Sequence, residues 1–166
     1  MECSQRRQPT PSNPRSADQT GTAPFVLAKT GMGKHKILIV ENDSDCRELL
    51  KFFFRQTGYK TVEAATGLEA VNLARVTRPD LIIMDLGMPA MTGDQATARL
   101  KADPSTRAIP VIVTTAFSYG PLIDCAISAG ADQIMHKPLE LKSLRLVVQR
   151  HLSLAHQPDA VSSGHC

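Results

Sequence analysis

Residues 79–93 read PDLIIMDLGMPAMTG. Their centre is a run of apolar residues, Leu81 to Met84, that stops at Asp85 and gives way to a Gly- and Pro-containing turn. A strand with one wet face alternates apolar and polar residues, whereas an unbroken run suits a strand covered on both faces, as in a parallel sheet. Working outward, the same kind of segment recurs at Lys36 to Val40 (KILIV), Lys60 to Glu63 (KTVE, the least apolar), Pro110 to Thr114 (PVIVT) and Asp132 to Met135 (DQIM), with the central strand itself at Asp80 to Met84.

Helical patterns fill the intervals. Cys46, Leu49, Leu50 and Phe53 fall on one helical face, and Gly58 offers a stop. Thr66-Gly67-Leu68-Glu69 has the form of a capping box, in which a threonine hydroxyl and a glutamate reciprocally satisfy free N–H groups. Further helices are predicted near Asp94 to Ala102, Tyr119 to Ala129 and Leu139 to His151, the last with Leu141, Leu144, Val148 and Leu152 in phase. Five βα units in succession predict an α/β fold, a doubly wound five-stranded parallel sheet with right-handed crossovers.

A chain of 166 residues is long enough for one domain with a substantial core. Residues 36–152 hold 14 Lys and Arg against 13 Asp and Glu, so the cationic excess belongs to residues 1–34, and a nucleic-acid-binding face is not expected. Residues 1–34 are rich in Pro, Ser, Thr and Gln, a composition that predicts a disordered extension, with the domain at 35–152 and a flexible polar tail at 153–166 too short for an output module. Cys3, Cys46, Cys125 and Cys166 form no CxxC pair or zinc spacing and are expected as reduced thiols of a cytoplasmic protein. No apolar run approaches the roughly 18 residues of a membrane span, so no membrane partner is expected.

In a parallel sheet of this type, ligands collect beyond the carboxyl ends of the strands. The residues found there are Glu41, Asn42 and Asp43 after the first strand, Asp85 after the third, Thr114 and Thr115 at the fourth, and His136-Lys137-Pro138 after the fifth. Crowded carboxylates repel one another unless a cation joins them, and an open acidic cluster suits Mg²⁺, which prefers oxygen ligands and keeps waters. The arrangement therefore predicts a Mg²⁺-assisted phosphoryl site. Asp85 is the candidate carboxylate nucleophile, Lys137 the counter-charge and Thr115 a hydroxyl that bonds a phosphoryl oxygen only once it is attached. His136 is expected to face solvent or pack locally.

In combination, KILIVEND, PDLIIMDLGMPAMTG, IPVIVTTA and GADQIMHKP resemble the receiver domains of two-component response regulators, over roughly Lys36 to Leu152. The resemblance implies a flavodoxin-like strand order 2-1-3-4-5, phosphorylation of Asp85 by a histidine kinase or histidine phosphotransfer protein, and a downstream protein target met through the helix 4 to helix 5 face. It implies Mg²⁺ held by Glu41, Asn42, Asp43, Asp85 and the backbone carbonyl of Gly87, with Thr115 as switch hydroxyl and a cis bond at Lys137-Pro138. Such a protein is not an enzyme beyond its own phosphorylation and slow dephosphorylation. Two departures stand out. Asn42 replaces the second carboxylate of the acidic pair, which should weaken Mg²⁺ binding, and Ile134 stands where many members carry a ring that moves with the threonine. They motivate an alternative: a receiver that docks partners independently of phosphorylation. A phosphatase of the haloacid-dehalogenase kind would need a carboxylate where this chain has Gly87. A flavin carrier would need a phosphate-binding loop where it has Glu41-Asn42-Asp43.

Overall fold

The computed structural model describes residues 35–118 and 120–154. Expectations for residues 1–34, Tyr119 and residues 155–166, Cys3 and Cys166 among them, lie outside these. In chain order the elements are β1 (Lys36–Val40), α1 (Ser44–Gln56), β2 (Lys60–Ala64), α2 (Gly67–Thr77), β3 (Leu81–Asp85), α3 (Gly93–Ala102), β4 (Val111–Thr115), α4 (Pro121–Ser128), β5 (Gln133–His136) and α5 (Leu141–Leu154). The strands form one parallel sheet in the order β2-β1-β3-β4-β5.

The unbroken apolar runs are explained by two cores, one on each face. Leu38, Val40, Ile82, Met84, Val111 and Val113 pack under α2, α3 and α4 against Ala70, Val71, Ala74, Ala96, Leu100 and Ala126. Their alternate neighbours Ile37, Ile39, Leu81, Ile83 and Ile112 meet Leu50 and Phe54 of α1 and Leu144, Val148 and Leu152 of α5 on the other face. Every residue of β3 is buried. With each aliphatic side chain contributing about 1.5–3 kcal/mol on full burial, the three central strands anchor the fold.

β3, β4 and β5 each begin one residue later than predicted, so Asp85 and Thr115 are the last residues of their strands instead of the first beyond them. At two of these starts an aspartate just before the strand acts as a side-chain partner. Asp80 accepts the N–H of Lys36 (2.6 Å) while its own N–H donates to the Lys36 carbonyl. Asp132 Oδ2 accepts the N–H of Val111 (2.8 Å) and the Lys101 ammonium (2.8 Å).

Helix α1 is rotated from its expected face. Leu50 and Phe54, four residues apart, are buried, whereas Cys46 is exposed and Leu49 is 55% exposed. Phe54 wins because its ring stacks edge-on against Phe53 and Tyr59 and fills the corner where the chain turns into β2. Gly58 ends this helix at φ +92°. The capping box forms as predicted at Thr66, whose hydroxyl accepts Glu69 N–H, although Glu69 reaches back to the N–H of Ala65. Leu144, Val148 and Leu152 make the buried stripe of α5. Cys125, like Cys46, is an exposed thiol on a helix, not a core residue. No helix among the described residues is long and apolar enough to cross a membrane.

Candidate functional site

The carboxyl ends of β1, β3 and β5 bring three charged side chains together. Lys137 Nζ donates to Glu41 Oε2 (2.7 Å) and lies 2.9 Å from Asp85 Oδ1. Both carboxylates are buried, Glu41 at 2% and Asp85 at 5% relative exposure. Two anions this shielded need a shared cation, and Lys137 supplies it. Burial works against charge on Lys137, but its hydrogen bonds to Glu41 and Asp85 outweigh that effect and hold its ammonium above its ordinary pKa.

Each participant is fixed by its element. Glu41 follows β1, its N–H donating to Ala64 across the strand pair, and its carbonyl accepts Arg47 Nη1 from α1 (2.7 Å). Asp85 stands at the end of the fully buried β3, and Leu86 N–H continues the ladder to Thr114. Lys137 follows β5, with its N–H donating to the Thr115 carbonyl (2.7 Å) and a cis bond to Pro138, as expected.

Thr115 closes β4, one residue beyond Thr114, the register partner of Asp85. It is fully buried, and its hydroxyl accepts the N–H of Phe117 at 3.0 Å. A Cβ at Gly87 would lie 3.8 Å from both Asp85 Oδ2 and the Phe117 ring, so this glycine and that ring flank the carboxylate. The loop after Asp85 holds Ala90 at φ +64°, a conformation costly for a residue with a Cβ.

The third acid does not join the pair. Asp43 caps α1, its Oδ1 accepting Cys46 N–H at 2.8 Å. That bond, more than any other influence, holds the Asp43 carboxyl below its ordinary pKa. Asn42 is exposed. Among the described residues no three His, Cys, Asp or Glu side chains gather as a metal cage. Glu41 and Asp85 offer carboxylate oxygens, and two carboxylates without a third fit an open Mg²⁺ site that keeps waters better than a closed one.

Two supporting residues escaped the sequence reading. Arg47 ties the acidic loop to α1, and a basic residue in the first turn of the helix after a strand-end acid was the available signal. A Cβ at Gly93 would overlap the Asp85 carbonyl and stand 2.8 Å from Leu86 Cα, so α3 can start beneath the end of β3 only without a side chain. The MTG tripeptide carried that signal.

The family model described as the response regulator receiver domain matches residues 37–149. The chain belongs to the response-regulator receiver family. Among curated relatives, this receiver is 34% identical over 116 residues to the polar-differentiation response regulator DivK of Brucella anthropi, covering 70% of this chain and 94% of DivK. Among solved structures, the signal receiver domain of a signal transduction histidine kinase from Syntrophus aciditrophicus shares 37% identity at a TM-score of 0.71, covering 79% of this chain and 99% of that one. A sensor histidine kinase receiver domain from Pseudomonas aeruginosa, with a magnesium ion coordinated in its active-site cleft, shares 28% identity at a TM-score of 0.68, over 72% of this chain and 98% of that one. The fold of this chain is thus the receiver fold, and its general role is two-component signalling.

Proposed function

We propose that this receiver takes a phosphoryl group onto Asp85 from a phosphohistidine of a kinase or phosphotransfer protein and thereby changes its affinity for a downstream protein. The observation that carries the proposal is the Lys137 ammonium bridging Asp85 and Glu41, a preset counter-charge beside a carboxylate at the mouth of a buried strand. A carboxylate oxygen of Asp85 attacks phosphorus. The P–N bond breaks with its electron pair going to the imidazole nitrogen, and the product is an acyl phosphate. Lys137 then bonds the added charge, and the Thr115 hydroxyl leaves Phe117 N–H to donate to a phosphoryl oxygen. Mg²⁺, held by Glu41, Asp85, the Gly87 carbonyl and Asn42, would neutralise charge on the transferring group. Leu122 and Ile127 of α4 and Leu146 of α5 are exposed apolar residues suited to the partner face between helix 4 and helix 5.

Incubation with acetyl phosphate and Mg²⁺ followed by intact mass tests the reading. One phosphoryl group is expected on the native chain and none on Asp85→Asn, which removes charge without opening a void in the core. Full labelling of that variant would move the acceptor elsewhere.

A second reading, docking without phosphorylation, draws on the acidic loop, where Asn42 lacks a carboxylate and Asp43 is engaged as a cap. Partner capture that is equal for the native chain and for Asp85→Asn, with no mass gain in either, would favour it.

A further inference from the structure

His136 ends β5, next to Lys137, and makes a contact that the phosphoryl chemistry does not use. Its side chain is exposed, yet Nδ1 lies 3.0 Å from the carbonyl oxygen of Phe117, two residues past the end of β4. A carbonyl can only accept, so Nδ1 carries the hydrogen and donates. The Phe117 N–H in turn donates to Thr115 Oγ1 (3.0 Å), and the Lys137 N–H donates to the Thr115 carbonyl (2.7 Å). Phe117 is therefore held at both its N–H and its carbonyl, between the imidazole of β5 and the hydroxyl of β4. Farther along the chain, Gly120 has φ +122°, and among the described residues none beyond its own chain neighbours lies within 4 Å of where a Cβ would stand.

We propose that His136 is a positioning residue for Thr115: its bond to the Phe117 carbonyl steadies the loop after β4 and, through Phe117 N–H, keeps the Thr115 hydroxyl in its resting place. This rests on the reading of Thr115 as the hydroxyl that follows a phosphoryl group on Asp85. For that hydroxyl to move, Phe117 N–H must lose its acceptor. A loop pinned at the Phe117 carbonyl resists the rearrangement, and a loop without the pin yields more readily. One hydrogen bond of ordinary net strength sets a bias of about two- to tenfold between the two loop positions. The arrangement also gives β5 a route to the threonine that needs no aromatic ring at Ile134.

The test uses the full chain with His136→Phe, which keeps a ring but no donor, and His136→Asn, whose amide nitrogen reaches the place of Nδ1. Long-range ¹H–¹⁵N spectra of the native protein should show the neutral ring protonated on Nδ1. Amide exchange at Phe117 in the unmodified protein should quicken about two- to tenfold in the Phe variant and stay native in the Asn variant. With Mg²⁺ present, titration with beryllofluoride as a phosphoryl mimic should shift the Thr115 amide at proportionally lower concentration in the Phe variant alone. A ring protonated on Nε2, or a Phe variant with native exchange and native midpoint, would overturn the proposal. Should the tautomer and exchange results hold while the native protein ignores beryllofluoride, the Asp85 reading fails. The tether then remains, but its role in switching is overturned.

Discussion

Glu41 and Lys137 lie 96 residues apart in the chain, and their side chains meet at 2.7 Å, closing a bridge from the end of β1 to the end of β5 over Asp85. The contact makes one lysine the guarantor of two buried carboxylates. Lys137→Met leaves Glu41 and Asp85 facing each other uncompensated, and removing one partner of such a buried cluster typically costs about 3–5 kcal/mol. Lys137 is itself a quarter exposed, so urea denaturation should show a loss nearer about 2–3 kcal/mol, partly restored by Mg²⁺. In the native protein the raised pKa of Lys137 contributes stability that is complete below its unfolded value of 10.5 and fades as pH climbs through the higher folded value. An unchanged denaturation midpoint in the Met variant would show the bridge to be energetically idle.

Asn42 is exposed beside Glu41, so Asn42→Asp adds a hard anionic ligand without disturbing the core. Calorimetric titration should find tighter Mg²⁺ binding, with stability in the absence of metal unchanged or slightly reduced by repulsion from Glu41. Affinity equal to native would mean that Asp43 leaves its cap on α1 to serve as the working ligand.

The two glycines near Asp85 should behave in opposite ways. Gly93→Ala forces a methyl group into the Asp85 carbonyl and Leu86 Cα, a backbone collision that no rotamer relieves. A loss of about 2–3 kcal/mol or more is expected, along with loss of phosphorylation. At Gly87 the nearest atoms are 3.8 Å from the new methyl, so Gly87→Ala should fold normally. There the methyl narrows the path for water toward Asp85 Oδ2, and the acyl phosphate should persist longer in a mass-spectrometric decay series. Equal stability of the two variants would contradict the packing described here.

Asp103 offers a pH test remote from the site. Bonds from the Ser105 hydroxyl and N–H, followed by Arg75 at 2.6 Å, pull its carboxyl from 3.8 down to about 2. A lowered folded pKa stabilises the protein above the unfolded value, so this contribution is whole at neutral pH and disappears as pH falls from about 4 to about 2. Carboxyl ¹³C shifts should titrate near that lower value, and Arg75→Ala should move the midpoint upward. A native midpoint close to 4 would rule the network out.

How far the sequence reaches differs between fold and site. The apolar runs at 36–40, 80–84 and 110–114 were sufficient for a parallel sheet, because burial on both faces is written into every residue of such a strand. The starts of β3, β4 and β5 fell one residue later than the pattern placed them. At two of these, Asp80 and Asp132 bond backbone groups of the neighbouring strand, a long-range role that looks like ordinary turn chemistry in the sequence. For α1 the spacing allowed more than one apolar face, and contact with Phe53 and Tyr59 selected the one holding Phe54.

The sequence by itself determined the order of strands and helices, and which acids, hydroxyl and lysine stand at strand ends, since both follow from local pattern and strand periodicity. Only the tertiary structure decided which of those groups act together. Lys137 chose Glu41 and Asp85, Asp43 turned to the N–H groups of α1, and His136 reached across to Phe117. The physical reason is that periodicity acts through neighbours in the chain, whereas a charge or a donor answers to whatever the fold has brought within about 3 Å of it.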